Sequence, residues 1–588
     1  MSQGLSGRES EHSMKKFLLG LLCGLALAVV ASLILIFSIV RFADGTPAVS
    51  DNSALMLRLE GEVPEKALVE LPFPGFENQS KMTVRDLWSV LKRAASDSRI
   101  KAVVIGPRGL EAGWSKIDEL RQGLTEFRKS GKPVYAILRS PGSREYMTAL
   151  AADRIYASPE DRIDLKGLRI EAMYFANTLT KLGVSMEVVH AGKYKDAYDV
   201  FTRTSMTPET REVLNGILDQ YYGEMVKIIS ERRSKTPEEV RALIDKGPFV
   251  PADALAAGLV DSLGYEDQAL TDLSNKLKTG ELKKIDAKTF LRATATANEG
   301  AARVALLVAE GAIMQGSNEP LGNDSLTSGG FIKLVRQLKS DRTVKGVILR
   351  VNSPGGDATA SDDILHELKE LSRAKPMVIS MSDLAASGGY YIAVTGDPIV
   401  AYPSTLTGSI GVITAKPNLK GLYDKLGINK ELLTRGRFAA LDSDYTTLTE
   451  EGRAKMNETA ESIYRGFIAR VSEGRKKNAE QVREIAEGRV WLGAQAKNNG
   501  LVDQLGGLNA AIELIRQKAK IGATEKIALS PYPPRKSLFE LLMNSQSGSS
   551  LAEAKLDAAL ARFPGGKWIR PLMDGGALAL MPYFIEVK

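Results

Sequence analysis

The chain has 588 residues, which is room for about two to four domains, and 44% of them are hydrophobic and 25% charged, as in ordinary globular proteins. The net charge of +7 is small for this length. No basic stripe with interleaved aromatic residues is present, so a nucleic-acid partner is not expected. The single cysteine, Cys23, excludes an intramolecular disulfide and thiol catalysis in the soluble part, and no metal-ligand cluster is present, so no cofactor is expected.

The N-terminal region carries one long apolar segment. Residues 17–40 contain no charge and follow Lys15 and Lys16. Crossing a bilayer takes about 20 apolar residues, whereas the apolar part of a signal peptide has about 7–15. Lys and Arg are more frequent before the segment than after it, which predicts a cytoplasmic tail of residues 1–16 and a bulk on the other side. An uncleaved anchor is therefore predicted, with a cleaved signal peptide as the alternative.

The region after this anchor repeats itself. Residues 100–105 match residues 344–349, and residues 153–159 match residues 397–403, both at a spacing of 244 residues. Each copy alternates predicted strands with predicted helices, a pattern typical of a layered α/β core. The fold class predicted is therefore α/β, with two tandem α/β units.

The repeat also sets the expected domain boundaries and one long helix in each copy. Thr207, followed by Pro208, and Thr449 are predicted to cap the N-termini of these long helices. The stretch between the copies is polar and rich in Lys, Thr and Ala, which favours a linker. The expected divisions are a first α/β repeat at residues 41–271, a linker at 272–300, a second α/β repeat at 301–530, and a C-terminal tail at 531–588.

Two glycine-rich turns of the second copy suggest acyl-transfer chemistry. Residues 385–389, AASGG, follow a predicted strand and place Ser387 at a helix N-terminus, where free N–H groups favour developing negative charge. Residues 352–356, NSPGG, also follow a strand, and Gly355 and Gly356 can present N–H groups to an oxyanion because no Cβ blocks the approach. The alternative is a pair of turns that use small residues only for packing.

The first copy lacks these features. Ser143 matches Ser387, but Arg144 and Glu145 stand in place of the two glycines that follow it and crowd the turn. The glycine pair of the other turn is missing as well. Ser143 is therefore interpreted as a vestigial position.

The second copy in turn lacks a basic residue that the first copy has. Lys195 matches Ala439, so a base for Ser387 would come from the first copy. A serine–lysine dyad is a known alternative to the catalytic triad, and it needs a lysine kept neutral by burial. Ser409, on a glycine turn, could hydrogen-bond the lysine amine or serve only as a turn residue.

Histidine is a poor candidate for the base. Only three are present: His12 lies in the predicted cytoplasmic tail, and His366 lies in a predicted helix among acidic residues. His190, at the end of a predicted strand, remains an alternative to Lys195.

Together these features resemble the long, two-repeat form of bacterial signal peptide peptidase A, also called protease IV, within the Clp protease and crotonase-like superfamily. Besides the anchor and the tandem repeat, the motifs that carry the resemblance are GKYKDA at 192–197, NSPGG at 352–356, AASGGYY at 385–391 and TGSIG at 407–411. The resemblance implies Ser387 as nucleophile, Lys195 as base and Ser409 as the residue that assists. It also implies that three glycines surround the oxyanion: Gly355, Gly356 and Gly388.

The resemblance further implies a biological setting. It implies a homotetramer, single-pass in the bacterial inner membrane, with a cytoplasmic N-terminus and a periplasmic catalytic region. Its substrates would be signal peptides already cut from preproteins, and other hydrophobic peptides. Two alternatives remain: a crotonase-type acyl-CoA enzyme, which would not need the anchor or Ser387, and a catalytically inactive membrane scaffold, which would not need Ser387 and Lys195 in complementary copies.

Overall fold

The computed structural model describes residues 47–66, 69–70, 81–295, 301–316, 325–534, 536–537, 576–581 and 587, with scattered residues between 20 and 31. Most of the predicted membrane span, residues 17–40, lies outside the described residues. Those described between 20 and 31 are helical. Among the described residues, no helix is both long enough and apolar enough to cross a membrane.

The strands are numbered in chain order. They are β1 Ser53–Glu62, β2 Val69–Glu70, β3 Ile100–Glu111, β4 Val134–Leu138, β5 Arg154–Ala157, β6 Ser185–Ala191, β7 Ser262–Leu263, β8 Lys283–Asp286, β9 Ala302–Glu310, β10 Ala312–Met314, β11 Ser325–Thr327, β12 Gly346–Ser353, β13 Gly355–Asp357, β14 Met377–Ala386, β15 Ile399–Ala401, β16 Leu406–Gly408, β17 Val412–Asn418, β18 Val490–Leu492, β19 Gln504–Leu505, β20 Ile527–Tyr532, β21 Lys536–Ser537 and β22 Gly576–Leu580.

The helices alternate with these strands. They are Val84–Ser96, Trp114–Arg128, Ser143–Ala149, Ala176–Leu182, Asp199–Thr202, Pro208–Arg233, Pro237–Ile244, Pro251–Ala256, Glu266–Leu277, Ala287–Ala293, Ser328–Ser340, Ala358–Ala374, Gly388–Ala393, Lys420–Leu426, Glu450–Arg475, Ala479–Ile485, Gly493–Asn498 and Leu508–Lys518.

Two sheets share one strand order. In the first half the order is β7-β5-β4-β3-β1-β8, and in the second half the corresponding path is β19-β15-β14-β12-β9-β20, with all neighbours parallel. In the second sheet, β16 also pairs with the far end of β14, and β18 pairs with β16. The predicted α/β fold with two tandem units is confirmed, and the structure shows that the shared strand path of each unit is parallel.

The structure contains the predicted helix after the NSPGG turn and the predicted N-caps of the two long helices. The helix Ala358–Ala374 buries its apolar face, as parallel sheets covered on both sides require. The side chain of Thr207 accepts a hydrogen bond from the backbone N–H of Thr210, and that of Thr449 accepts one from Gly452. Both threonines are therefore the N-caps of the long helices.

A third, mixed sheet joins the two halves. Its order is β11-β10-β13-β22-β17-β6, and β6 of the first repeat runs antiparallel to β17 of the second, with Ala191 opposite Val412. The residues that follow β6 are therefore placed against the second repeat.

Residues 272–295 of the expected linker have regular secondary structure. They include the end of the helix Glu266–Leu277, the strand β8 and the helix Ala287–Ala293, and β8 pairs with β1 of the first sheet. Ile285 and Phe290 are buried against the first repeat, so residues 272–295 pack on it.

Charged side chains are buried between the repeats. Arg350 of the second repeat is 1% exposed and pairs with Glu65 and Glu119 of the first. The Asp383 carboxylate, at 2.9 Å, accepts hydrogen bonds from the backbone N–H groups of Gly113 and Lys116 and so caps the helix Trp114–Arg128 of the other repeat. The carboxylates of Glu65 and Glu119 favour the charged form of Arg350 and hold its pKa above the usual range, although burial alone would lower it. These contacts fix β14, which carries Asp383, to the first repeat.

Candidate active site

A tight turn places Ser387 between β14 and the helix Gly388–Ala393. Ser387 has φ 55° and ψ −117°, a conformation that L-residues seldom adopt and that persists only where the surroundings enforce it. Its backbone N–H donates to the carbonyl of Gly408 at 2.8 Å. At Gly389 a Cβ would collide with the carbonyl oxygen of Ser353, so the turn packs directly on the end of β12, next to the NSPGG turn. The AASGG motif therefore holds Ser387 in an unusual backbone conformation where its turn meets the NSPGG turn.

Lys195 of the first repeat reaches this serine. Its Nζ lies 2.6 Å from Ser387 Oγ and 2.8 Å from both the carbonyl oxygen and Oγ of Ser409. All three residues are 0% exposed. The structure therefore brings together the predicted nucleophile, the predicted base and the residue predicted to assist.

The three contacts can be made by either form of the amine. The ammonium has three donors for the three oxygens, whereas a neutral amine has two N–H donors and one lone pair. In the neutral form, the two N–H groups can be donated to the Ser409 carbonyl and Oγ, which leaves the lone pair to accept the Ser387 O–H. Complete burial lowers the pKa of Lys195 well below its usual value of 10.5, and the neighbouring Asp196 carboxylate raises it only in part. The lysine amine therefore lies within hydrogen-bond distance of the Ser387 hydroxyl, and its lowered pKa favours the neutral form that can accept the hydroxyl proton.

A segment of the second repeat holds the lysine loop in place. The backbone N–H of Tyr194 donates to the Glu487 carbonyl at 2.8 Å, and that of Ser409 donates to the Arg489 carbonyl at 2.7 Å. Between them, a Cβ on Gly488 would lie 2.7 Å from the Cβ of Lys195. Sequence reasoning missed this segment, because a glycine between a helix and a strand signals only a turn.

The predicted oxyanion glycines lie at the same edge. Gly355 and Gly356 form β13, which contacts the helix that begins at Gly388. Their φ angles are 93° and 153°, and the Gly355 N–H donates a hydrogen bond to Ser353 Oγ at 3.2 Å. The structure brings this turn next to Ser387, while the oxyanion role of the three glycines stays a prediction.

The other serine and histidine candidates have different surroundings. Ser143 begins the helix Ser143–Ala149, and the next residues fill its turn: the Glu145 carboxylate accepts from the Leu110 N–H at 2.6 Å. His190 is exposed, with Nδ1 3.0 Å from the Gly192 carbonyl oxygen, and His366 is exposed on its helix.

A serine hydroxyl against a buried lysine amine is the arrangement of serine hydrolases that use an amine in place of histidine. The chain belongs to Peptidase family S49, whose family model matches residues 126–280 and 369–522, one match in each repeat. It is thus a serine peptidase with two copies of the family unit.

Proteins with curated descriptions agree with this assignment. "Serine protease SPPA, chloroplastic" of Arabidopsis thaliana is 32% identical over 544 residues, covering 91% of this chain and 79% of the relative. "Protease 4" of Salmonella typhi is 32% identical over 480 residues, covering 79% and 76%. "Putative signal peptide peptidase SppA" of Enterococcus faecium is 34% identical over 230 residues, covering 38% and 67%.

The pH dependence of activity is expected to report the lysine amine. Because the amine must be neutral to take a proton, activity should rise with pH through the depressed pKa of Lys195. Replacing Asp196 by asparagine removes the negative charge that raises this pKa, so the rising limb of kcat/KM should move to lower pH. The check is a pH–rate profile of both forms on one fluorogenic peptide.

Asp199→Asn provides the matched control, since this carboxylate is close in sequence and pairs with Arg203. Its pH limb should coincide with that of the unmodified enzyme. A limb that Asp196→Asn moves to higher pH, or leaves in place, would contradict a lysine base.

Proposed function

We propose that this chain is a membrane-anchored endopeptidase in which Ser387 and Lys195 form a catalytic dyad. We further propose that it degrades signal peptides left in the membrane after preprotein processing. The observation that carries the dyad is the 2.6 Å distance between Lys195 Nζ and Ser387 Oγ at a fully buried site. Each residue comes from the repeat that lacks the other.

The proposed reaction proceeds through an acyl-enzyme. Ser387 Oγ attacks the carbonyl carbon of the scissile bond while its proton passes to the lone pair of Lys195 Nζ. The C–N bond then breaks as the ammonium returns that proton to the leaving nitrogen. A water molecule then attacks the ester carbon while Lys195 Nζ takes its proton. The bond between that carbon and Ser387 Oγ breaks, the ammonium gives its proton to Ser387 Oγ, and the peptide acid is released. Ser409 accepts two N–H groups of Lys195 Nζ in both protonation states, so that the position of Nζ that takes and returns the proton stays directed at the nucleophile.

Charge develops on the substrate carbonyl oxygen during the attack. The backbone N–H groups of Gly355, Gly356 and Gly388 are proposed to surround this oxygen. Donors fixed before the reaction stabilise such a charge without reorganisation, and one donor of this kind is worth roughly 10²–10³ in kcat.

The substrate proposal rests on the surroundings of the site and on one relative. Next to Lys195, the side chains of Ala197 and Tyr198 form a buried apolar cluster with Ile413 and Ala415 of β17. An extended apolar peptide could pair with the strand edges there. The relative from Enterococcus faecium is described as a putative signal peptide peptidase.

The proposed location follows from the N-terminal sequence. Residues 17–40 would anchor the chain in the bacterial inner membrane, with residues 1–16 in the cytoplasm and the catalytic region in the periplasm. We propose a homotetramer as the assembly.

The test compares two kinds of substrate. The full chain, purified in detergent, is incubated with a synthetic apolar leader peptide of about 20 residues and with a folded globular protein. The leader peptide should be cut after small or apolar residues, the folded protein should stay intact, and chelators should leave the rate unchanged. Equal turnover of both substrates would refute the proposed specificity.

A further inference from the structure

The groove beside the nucleophile already contains a peptide strand of this chain. β22, Gly576–Leu580, runs antiparallel between β13 and β17. On one side Gly355 is opposite Leu580, and on the other Ile413 is opposite Leu578. The N–H of Met581 continues the pairing and donates to the Pro354 carbonyl at 2.8 Å. The chain's own C-terminal region therefore occupies both strand edges of the groove.

The strand also lies against the catalytic elements themselves. It contacts the helix Gly388–Ala393, which begins directly after the nucleophile. Ser387 is 0% exposed, so no peptide can reach its Oγ unless part of the surrounding structure moves.

Two side chains of this segment are buried in separate apolar clusters. Leu578 is 3% exposed and packs in a cluster with Ala197, Tyr198, Ile413 and Ala415. Ala197 and Tyr198 follow Lys195 closely in the chain, so the segment that supplies the base also lines this cluster.

Met581 is 5% exposed and belongs to the cluster that includes Ala386, the residue before the nucleophile. An apolar side chain is thus buried on each side of Ala579, the residue paired with Gly356.

Another described residue near the C-terminus, Val587, contacts the first repeat. Val587 pairs with Ile170, and its carbonyl oxygen accepts a hydrogen bond from Arg144 Nη2 at 3.0 Å. Arg144 is the residue that stands where the second repeat has Gly388. The described C-terminal residues therefore contact the helix that follows Ser387 in the second repeat and, through Arg144, the matching turn of the first repeat.

An extended substrate would need the edges that β22 occupies. Peptide recognition by strand addition uses main-chain hydrogen bonds for affinity and side-chain pockets for specificity. Two strands cannot pair with one edge at the same time. From this we infer that residues 576–581 act as an intramolecular pseudosubstrate, and that the cluster around Leu578 is a substrate subsite for leucine-sized apolar side chains. The inference rests on the proposed function, because it assigns an occupant to the proposed catalytic groove.

Displacing the strand is then a step before substrate binding. Only molecules whose groove is open can bind a peptide, so the apparent dissociation constant is the intrinsic one divided by the open fraction. Variants that weaken β22 raise this fraction and should therefore lower KM and leave kcat unchanged. Access to Ser387 should increase in parallel.

The test uses two variants of the full chain. Leu578→Asp places a charge in the apolar cluster, and Ala579→Pro removes the N–H opposite Gly356. A fluorophosphonate should label Ser387 faster by about tenfold or more in both variants, and KM for an apolar fluorogenic peptide should fall by a similar factor. Circular dichroism confirms that each variant is folded.

A peptide added in trans provides the matched control. Gly-Ala-Leu-Ala-Leu-Met, which copies residues 576–581, should compete with substrate in the Leu578→Asp enzyme, whereas the same peptide with aspartate in place of its first leucine should not. Unchanged or slower labelling in both folded variants would overturn the inference, because β22 would then be a permanent part of the groove.

A failure of the proposed function gives a different result. If no form of the protein reacts with the fluorophosphonate, the dyad proposal fails. The inference can then still be tested by measuring the fluorescence anisotropy of a dye-labelled copy of residues 576–581. Tighter binding to the two variants than to the unmodified chain supports a displaceable strand, and equal binding refutes it.

Discussion

Replacing Ser387 by alanine is expected to abolish peptide hydrolysis, with kcat reduced by roughly 10⁵-fold or more, as for loss of the nucleophile in other serine peptidases. In the part of the chain that the structure describes, no other hydroxyl combines the contacts of Ser387, which lies 2.6 Å from Lys195 Nζ on a turn that packs against the end of β12. The measurement is the initial rate on a fluorogenic peptide, together with fluorophosphonate labelling followed by mass spectrometry.

Ser143→Ala is the matched control, since Ser143 is the corresponding residue of the first repeat. Its turn is filled by the Glu145 carboxylate, so this variant should keep the full rate. Substantial activity in Ser387→Ala, or a labelled serine elsewhere, would refute the proposed nucleophile.

Lys195→Ala is expected to lower kcat by roughly 10³-fold or more, since it removes the base while the nucleophile and the glycines stay in place. Lys195→Arg should not restore the rate. A guanidinium stays protonated at any usable pH, and it is bulkier than the amine that fits between Ser387 and Ser409. Rates of both variants on the same peptide test this.

Lys193→Ala provides the control, because Lys193 is exposed and stands two residues earlier in the same loop. It should hydrolyse the peptide at the unmodified rate. A rate close to normal in Lys195→Ala would remove lysine as the base, and His190 would be the next group to test.

Local patterns were enough to predict much of the fold and the site. The caps at Thr207 and Thr449 and the two glycine turns are short-range signals, the internal repeat is found by aligning the sequence with itself, and the structure has each of these elements. Comparing the two copies also predicted that Lys195 would lie close to Ser387, because a residue missing from one copy has to be supplied by the other.

The long-range pairings could not be predicted in this way. β22 is separated from β13 by more than two hundred residues, and its short apolar sequence fits many positions. The cap that Asp383 gives to the helix Trp114–Arg128 joins residues far apart in the chain, so no local spacing reveals it. The polar composition of residues 272–300 favours a linker, and the pairing of β8 with β1 inside this stretch is a long-range contact that composition does not reveal.

The buried charges between the repeats tie the two halves to each other. Arg350 pairs with Glu65 and Glu119 of the opposite repeat. Lys116 pairs with Glu310 and Asp383 of the opposite repeat as well as with Glu65 of its own. Separating the halves would break these pairs and open the surface between the repeats to water. Because Lys195 and Ser387 also lie in different repeats, each half on its own would hold only one member of the proposed dyad, so neither half is expected to be active alone.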